Sequence, residues 1–542
     1  MSFKNFLKSE QKTIGKATAV IAVFIVLSRI LGLVRDRLLA STFGPSVELD
    51  IYFASFKIPD LIYSVVLAGG VLVSLLPLFS DYFKKNKEDG FRLINSIINA
   101  FLVILILISF VFFLFTPQIV TFILPGLDMN YLNQAVNSMR MIFLAVFFFG
   151  LSSIFSTVLN YFNRFVAYSI APIFYNLSII LGIVFLAPSL GNMGPAIGVL
   201  VGSFLHFLVQ FMGSLSYGYK YKFDFYFKDI LSFFKLLFPR IISASASQVN
   251  LLVITALAST ISVGAISFFS LADNLRFLPL GLIGISYATA IFPHLSKSVV
   301  EKDTTLFKKN LKKVFQDILY LAIPVSILTF LMRDLIVSII LKTGEFSTYA
   351  VSATAACLGI FALSLVFQCL EPTILRAFFS LKDAKTPAII SIFFLIINFI
   401  LSFSFIEMIR NNTSFNNFIS DLFNLGNSDC PLLIGLVLAY NISLIVDFFL
   451  LAFFLKRKIG SFDLKEFFNY VLKLLASCLP LIAIALVIMN FFKVETLFPS
   501  LIEFTIITLT SFLIYFLFTL LFKVEGAETI KNKLTKILNK GN

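Results

Sequence analysis

The run ATAVIAVFIVLSRILGLVRDRLLASTF, residues 17–43, decides the solvent in which this chain folds. A helix needs about twenty apolar residues to cross the hydrocarbon core of a bilayer, and this run is long enough. It carries Arg29 and Arg35 and offers no small-residue cleavage site, so it reads as a retained membrane helix rather than a removable signal peptide. Comparable runs recur as far as Phe522. Over the 542 residues, 59% are hydrophobic and 13% charged, and the mean hydropathy is +0.96. A soluble domain keeps roughly a quarter of its residues charged, so lipid is the medium here. The expected fold is an all-α polytopic membrane protein with about fourteen transmembrane helices, each long enough to span. The spans are placed near 17–43, 49–80, 93–115, 133–160, 166–187, 193–217, 230–261, 264–294, 311–332, 349–378, 386–408, 431–455, 466–492 and 500–522.

The net charge of +14 could point to nucleic acid, but its distribution points to topology. Alternate connections, together with both tails, hold 29 Lys and Arg, against 4 (Arg333, Lys342, Arg410, Lys493) in the connections on the other side. That asymmetry is the positive-inside pattern and predicts cytoplasmic N- and C-termini. Cys357, Cys369, Cys430 and Cys478 have no metal or disulfide spacing. His206 and His294 stand alone, and no GxxxxGK[ST] run is present. No cofactor, metal, nucleic acid or ATP hydrolysis is expected.

Two halves echo each other. Ser28-Arg29, "DIYFASFKIPDL" (50–61) and "LLPLFSDYF" (75–83) correspond to Pro239-Arg240, "AISFFSLADNLRFLP" (265–279) and "AIFPHLSKS" (290–298). Arg29 then matches Arg240, and Pro77 matches Pro293. A second echo pairs "LNYFNRFVAYSIAPIFYN" (159–176) with "ILRAFFSLKDAKTPAIISIFFLIIN" (374–398). The offset spans six helices, an even number, so the copies share orientation. The expected organisation is an N-lobe over 1–225, a C-lobe over 226–458, and two appended helices within 459–542.

Charges inside the spans carry the functional argument, because each costs about 3 kcal/mol at mid-bilayer unless protein, water or a partner receives it. Ser28, Arg29, Gly32, Arg35 and Asp36 fall on one arc of the first helix. Arg29, Arg35 and Lys57 face only Asp36, Asp50 and Asp60 nearby, which favours a cavity that receives an anion over an internal ion-pair network. In the second lobe, Asp273, Asn274 and Arg276 interrupt the eighth span. Asp273 and Arg276 are three residues apart and can pair on one face. Gly69-Gly70 reads as a bend in the second span.

These segments resemble the MurJ/MviN family of lipid II flippases, within the larger group of drug and oligosaccharide-lipid exporters. The resemblance runs through "SRILGLVRDRLLASTFG" (28–44), "DIYFASFKIPDL" (50–61), "LNYFNRFVAYSIAPIFYN" (159–176), "LADNLRFLPLGLIGISYATAIFPHLSKS" (271–298) and "RAFFSLKDAKTPAIISIFFLIIN" (376–398). It implies fourteen helices, two lobes around a cationic cavity, alternating access, and a groove for a lipid tail formed by the last two helices. By position, the family's cavity residues fall on Ser28, Arg29, Arg35, Asp36 and Asp50; Lys57 and Arg276 complete the candidate substrate-binding set. This chain has Tyr63 and Asn274 where relatives commonly place arginines, Ala68 where many have a glutamate, and Ile254 where some have a sodium-linked aspartate. The expected partners are an undecaprenyl-diphosphate-type anionic precursor, the lipid bilayer and cell-wall synthesis proteins. The expected location is the bacterial inner membrane. The rivals are an exporter of another polyprenyl-diphosphate-linked glycan, a cationic-drug exporter, a polytopic glycosyltransferase and a non-transporting scaffold. Drug export would need a carboxylate-rich cavity, and an enzyme would need acidic outer loops that the sequence lacks.

Overall fold

The computed structural model describes residues 14–64, 71–423, 425, 430–460, 464–491 and 497–528; the side chains of 14–22, 72–73, 165, 236–247, 464 and 497–498 are not described. Gly69-Gly70 and Ala68 therefore lie outside the described residues, as does the side chain of Arg240. Among the described residues every regular element is helical. Among the described residues eleven helices are long and apolar enough to cross a membrane, and they fall on eleven of the expected spans. At the other three expected positions, 17–43, 49–80 and 230–261, most of the described residues are also helical.

Two compact units divide the chain. The first comprises Met1–Ser267 with Thr343–Ser347. It holds α1 (Ile14–Phe43), α2 (Val47–Ala54), α3 (Lys57–Tyr63), α4 (Val71–Lys85), α5 (Lys87–Ile123), α6 (Leu132–Tyr161), α7 (Phe165–Leu181), α8 (Met193–Leu215) and α9 (Phe227–Ser259). The second span is thus broken rather than continuous. Pro59 sits in the first turn of α3, where a missing N–H does no harm. In an uninterrupted helix its ring would clash with the carbonyl of Ser55, so the chain turns at Ser55 and Phe56 instead. Ser46 caps α2 and Asn86 caps α5, each through a side-chain oxygen that accepts a first-turn N–H.

Packing in this unit follows the small residues. A Cβ on Gly198 would lie 2.8 Å from the Ile179 Cα, and one on Gly202 would lie 2.8 Å from the Tyr175 carbonyl oxygen. The spacing Gly194, Gly198, Gly202 therefore lets α7 and α8 approach backbone to backbone, the usual solution where lipid offers no hydrophobic drive. At the other end, Phe79, Phe83, Phe91, Tyr161 and Phe162 meet edge to face around α4 and α6. Helix α9 packs on α5, so it belongs to this unit although the repeat argument starts the C-lobe at 226.

The second unit comprises Phe268–Lys342 and Thr348–Asn542. It contains α10 (Ala265–Pro279) from Phe268 on, continued through a wide turn (Leu280–Ile285) into α11 (Ser286–Val300). Then come α12 (Thr304–Leu331), α13 (Arg333–Leu341), α14 (Thr348–Ser380), α15 (Lys385–Asn411) and α16 (Thr413–Phe423). The last three are α17 (Cys430–Ile459), α18 (Leu464–Phe491) and α19 (Leu497–Leu521). Gly284 permits close approach to α14, since a Cβ there would be 2.8 Å from the Cys369 Cα. The last two helices are well seated: Tyr470 and Tyr515 donate to the carbonyls of Gln316 (2.9 Å) and Tyr320 (2.8 Å) on α12. Pro77 and Pro293 fall at the seventh and eighth positions of two fifteen-residue helices, α4 and α11.

Candidate substrate site

Helix α1 carries the polar stripe. The Arg35 Nε and Nη2 donate to one oxygen of Asp36, at 2.9 and 2.8 Å, and Nη1 donates to the Asn176 side-chain oxygen at 3.1 Å. The Asn176 amide nitrogen in turn donates to the carbonyl oxygen and hydroxyl of Ser28, both at 3.3 Å, and to the Pro172 carbonyl at 3.1 Å. Ser28, Arg35 and Asp36 are therefore brought together, and the residue that joins them is Asn176 on α7. A guanidinium has five N–H donors, and three have these partners, so two remain for a ligand. The Arg35 side chain is 21% exposed and Asp36 only 6%. Arg29 is exposed, and beyond the helix's own backbone nothing lies within 4 Å of a Cβ placed on Gly32, so this part of the stripe is uncovered while Ser28, Arg35 and Asp36 meet Asn176 or one another.

Asp50 is engaged elsewhere. One of its oxygens accepts the Gly264 N–H at 2.7 Å; the other accepts the Ser267 N–H at 2.8 Å and its hydroxyl at 2.5 Å. A buried carboxylate on free N–H groups at a helix start is a cap, favoured by the helix dipole. Lys57 begins α3 within electrostatic reach of Asp60, one turn on. Tyr63 packs its ring on Phe149, 5.5 Å between centroids, and Phe149 touches Tyr175 and His206. An aromatic cluster thus stands where the family resemblance implies a cation. His206 Nδ1 lies 2.7 Å from the Ser152 hydroxyl, a structural bond.

Arg276, in the second unit, is enclosed. It pairs with Asp273, and its Nη1 donates to Gln368 Oε1 at 2.8 Å. Its guanidinium carbon lies 4.6 Å from the Phe361 ring centroid and 5.6 Å from that of Tyr440. Gln368 Nε2 continues to the Ser364 hydroxyl at 2.6 Å, which donates to Asn441. Two further carboxyls, Glu371 and Asp447, lie in the same region, with Glu371 within electrostatic reach of Asp447 and Arg276. Neither was singled out from sequence; a charge-bearing residue inside an apolar span was the available signal. Ile254 is buried, and no cluster of metal-ligating residues exists among the described residues.

An apolar groove of about 720 Å³ lies in the second unit, lined by Phe315, Phe367, Phe448 and Phe467 with Lys312 and Lys456 at one end. It is built on α12, α14, α17 and α18, so only one of the last two helices contributes to it.

With this geometry in view, the relatives give the fold its family. The sequence model described as "Lipid II flippase MurJ" matches residues 39–509. A "Probable lipid II flippase MurJ" from Borreliella burgdorferi is 29% identical over 470 residues, covering 86% of this chain and 88% of its own. A "Lipid II flippase MurJ" from Burkholderia cenocepacia is 26% identical over 405 residues, covering 73% of this chain and 78% of its own. The solved structure "Lipid II flippase MurJ, inward closed conformation" superposes with a TM-score of 0.74 at 26% identity, over 93% of this chain and 98% of that one. An inward-facing MATE transporter of the MOP superfamily, at 14% identity and a TM-score of 0.63, shares the fold. This chain is a multi-pass bacterial inner-membrane protein that belongs to the MurJ family.

Proposed function

We propose that this chain is a lipid II flippase, carrying a lipid-linked peptidoglycan precursor from the inner to the outer leaflet by alternating access. It is a transporter; no covalent bond is made or broken. A diphosphate-linked sugar headgroup cannot cross about 30 Å of hydrocarbon unaided, whereas its lipid tail can stay in the membrane. Arg35, oriented by Asp36 and Asn176, offers the planar N–H fork that matches phosphate oxygens. Arg29 and Lys57 add positive charge along the same path, and Ser28 a hydroxyl. Asp50 holds backbone in place beside it, and Arg276 positions the interior of its own unit. The observation that carries this assignment is the Arg35 cluster: a half-buried, oriented guanidinium with donors to spare beside open space at Gly32.

Both termini face the cytoplasm in this reading, where cell-wall synthesis proteins would meet the chain. In this reading the two lobes, 1–225 and 226–458, are repeats of one another in sequence, with 459–542 appended. A second reading, export of another polyprenyl-diphosphate glycan, draws support from the aromatic cluster at Tyr63, which removes a cation that relatives use. Complementation separates the two. Growth of a lipid II flippase-depleted host on this chain supports the first reading, and failure by a well-expressed, inserted chain supports the second.

A further inference from the structure

The segment KYKFDFYFK, residues 220–228, joins α8 to α9 and has neither helix nor strand before Phe227. It is nevertheless held firmly. Arg92, Asn95, Ser96 and Asn99 recur on one face of α5 and grip it residue by residue. Tyr219 and Tyr221 donate to the side-chain oxygens of Asn95 and Asn99, both at 2.7 Å. Asn99 Nδ2 donates to the Asp224 carbonyl at 2.7 Å, and the Tyr226 N–H donates to the Ser96 hydroxyl at 3.3 Å. The Arg92 guanidinium lies 4.5 Å from the Tyr226 ring centroid.

This clamp uses the backbone and the tyrosines and leaves the phenylalanines outside. Phe223 is 81% exposed and Phe227 70%, with Phe225 beside them at 52%. Lys220, Lys222 and Lys228 are exposed on the same short segment. Three rings displayed to water by a rigid mount make no sense for a solvated loop. Yet the segment begins only a few residues beyond the membrane-crossing helix α8, so lipid is within reach. Rings interleaved with lysines match the boundary of a leaflet, apolar below and phosphate-bearing above. The chain contains no Trp, so Phe and Tyr must supply any interfacial anchor.

We propose that residues 220–228 form a membrane-interface site that seats Phe223, Phe225 and Phe227 in the leaflet and sets Lys220, Lys222 and Lys228 on anionic phospholipid headgroups. The clamp on α5 fixes the depth of this anchor and, through it, the start of α9. The site is independent of the transport reading.

The absence of Trp makes the test direct. Phe223→Trp and, separately, Phe227→Trp place a single fluorophore in the full-length chain, reconstituted in nanodiscs of zwitterionic lipid or of lipid containing phosphatidylglycerol. Leu107→Trp, on the exposed face of α5, serves as the lipid-facing control. In the phosphatidylglycerol discs both reporters should emit to the blue of free tryptophan. Brominated lipid should quench them several-fold more strongly than aqueous acrylamide does. Lys220→Gln, Lys222→Gln and Lys228→Gln together should remove the difference between the two lipids. Water-like emission with strong acrylamide quenching from either folded reporter, in both lipids, would overturn the site and leave the face to a soluble protein. Equal burial in both lipids would overturn the anionic part.

Discussion

Arg35 and Arg276 are two guanidiniums buried in apolar helices, and their surroundings assign them opposite work. Arg35 has one carboxylate, one amide and two donors unspent, and its side chain keeps 21% of its surface open. Arg276 has a carboxylate, an amide and two aromatic faces, with 8% left open. The first is oriented and available; the second fills its own site. Spare donors alone do not separate the two, since the Arg276 Nε also lacks a hydrogen-bond partner; a charge in a membrane interior signals function only when part of it stays open to a ligand.

The largest expected effect lies at Arg35. Arg35→Ala, made together with Asp36→Asn so that no buried carboxylate is left unpaired, should abolish precursor transport while expression, insertion and melting temperature stay near wild type. Arg35→Lys should retain part of it, because lysine keeps the charge but not the fork. Transport assays on purified, reconstituted variants decide this. A destabilised, poorly inserted double variant would make Arg35 structural and erase the contrast.

Arg276 should behave the other way. Arg276→Met leaves the half-buried Asp273 without its partner and Gln368 without its donor, which should show as lost expression and a lowered melting temperature. Adding Asp273→Asn should recover much of that loss. A well-folded single Arg276→Met variant that cannot transport would move Arg276 into the binding machinery.

Asn176 sharpens the comparison because it serves both structure and site. Asn176→Leu removes the bonds to Arg35 and Ser28, a loss of about 1–3 kcal/mol for the buried groups left behind. Transport should fall further than stability, and precursor binding measured beside the melting temperature separates the two.

How far the sequence foretold this depends on distance along the chain. Apolar run length and basic connections located the helices, since both are local properties. Pro59 was also readable locally, yet the second span was drawn as one helix because its composition is continuous across the break. The stripe of Ser28, Arg35 and Asp36 followed from helical periodicity. Its keystone did not, because Asn176 lies 141 residues from Arg35 and only the packing of α7 on α1 joins them. Gln368, 92 residues from Arg276, was hidden for the same reason. Asp50 was read as a cavity charge, but a cap for residues 264–267 needs the tertiary fold to be seen.

The smallest effect belongs to a surface pair outside the spans. Lys458 and the Thr386 N–H hold the Asp383 carboxyl down at about 2, against an ordinary 3.8, despite the cost of its partial burial. A depressed carboxyl stabilises the fold above its unfolded value, so this contribution is present above pH 3.8 and fades as pH falls through about 2. Asp383→Ala should cost about 1 kcal/mol as a lost cap on α15, measured as a small drop in melting temperature that vanishes in acid.

The central claim is that the α1 stripe binds an anionic headgroup while Arg276 in the second unit supports structure. Binding of purified lipid II to the Arg29→Ala, Arg35→Ala double variant in nanodiscs, read beside its melting temperature, tests it most directly. The account predicts binding lost by a protein that still folds and inserts; wild-type binding by the same well-folded variant would contradict it.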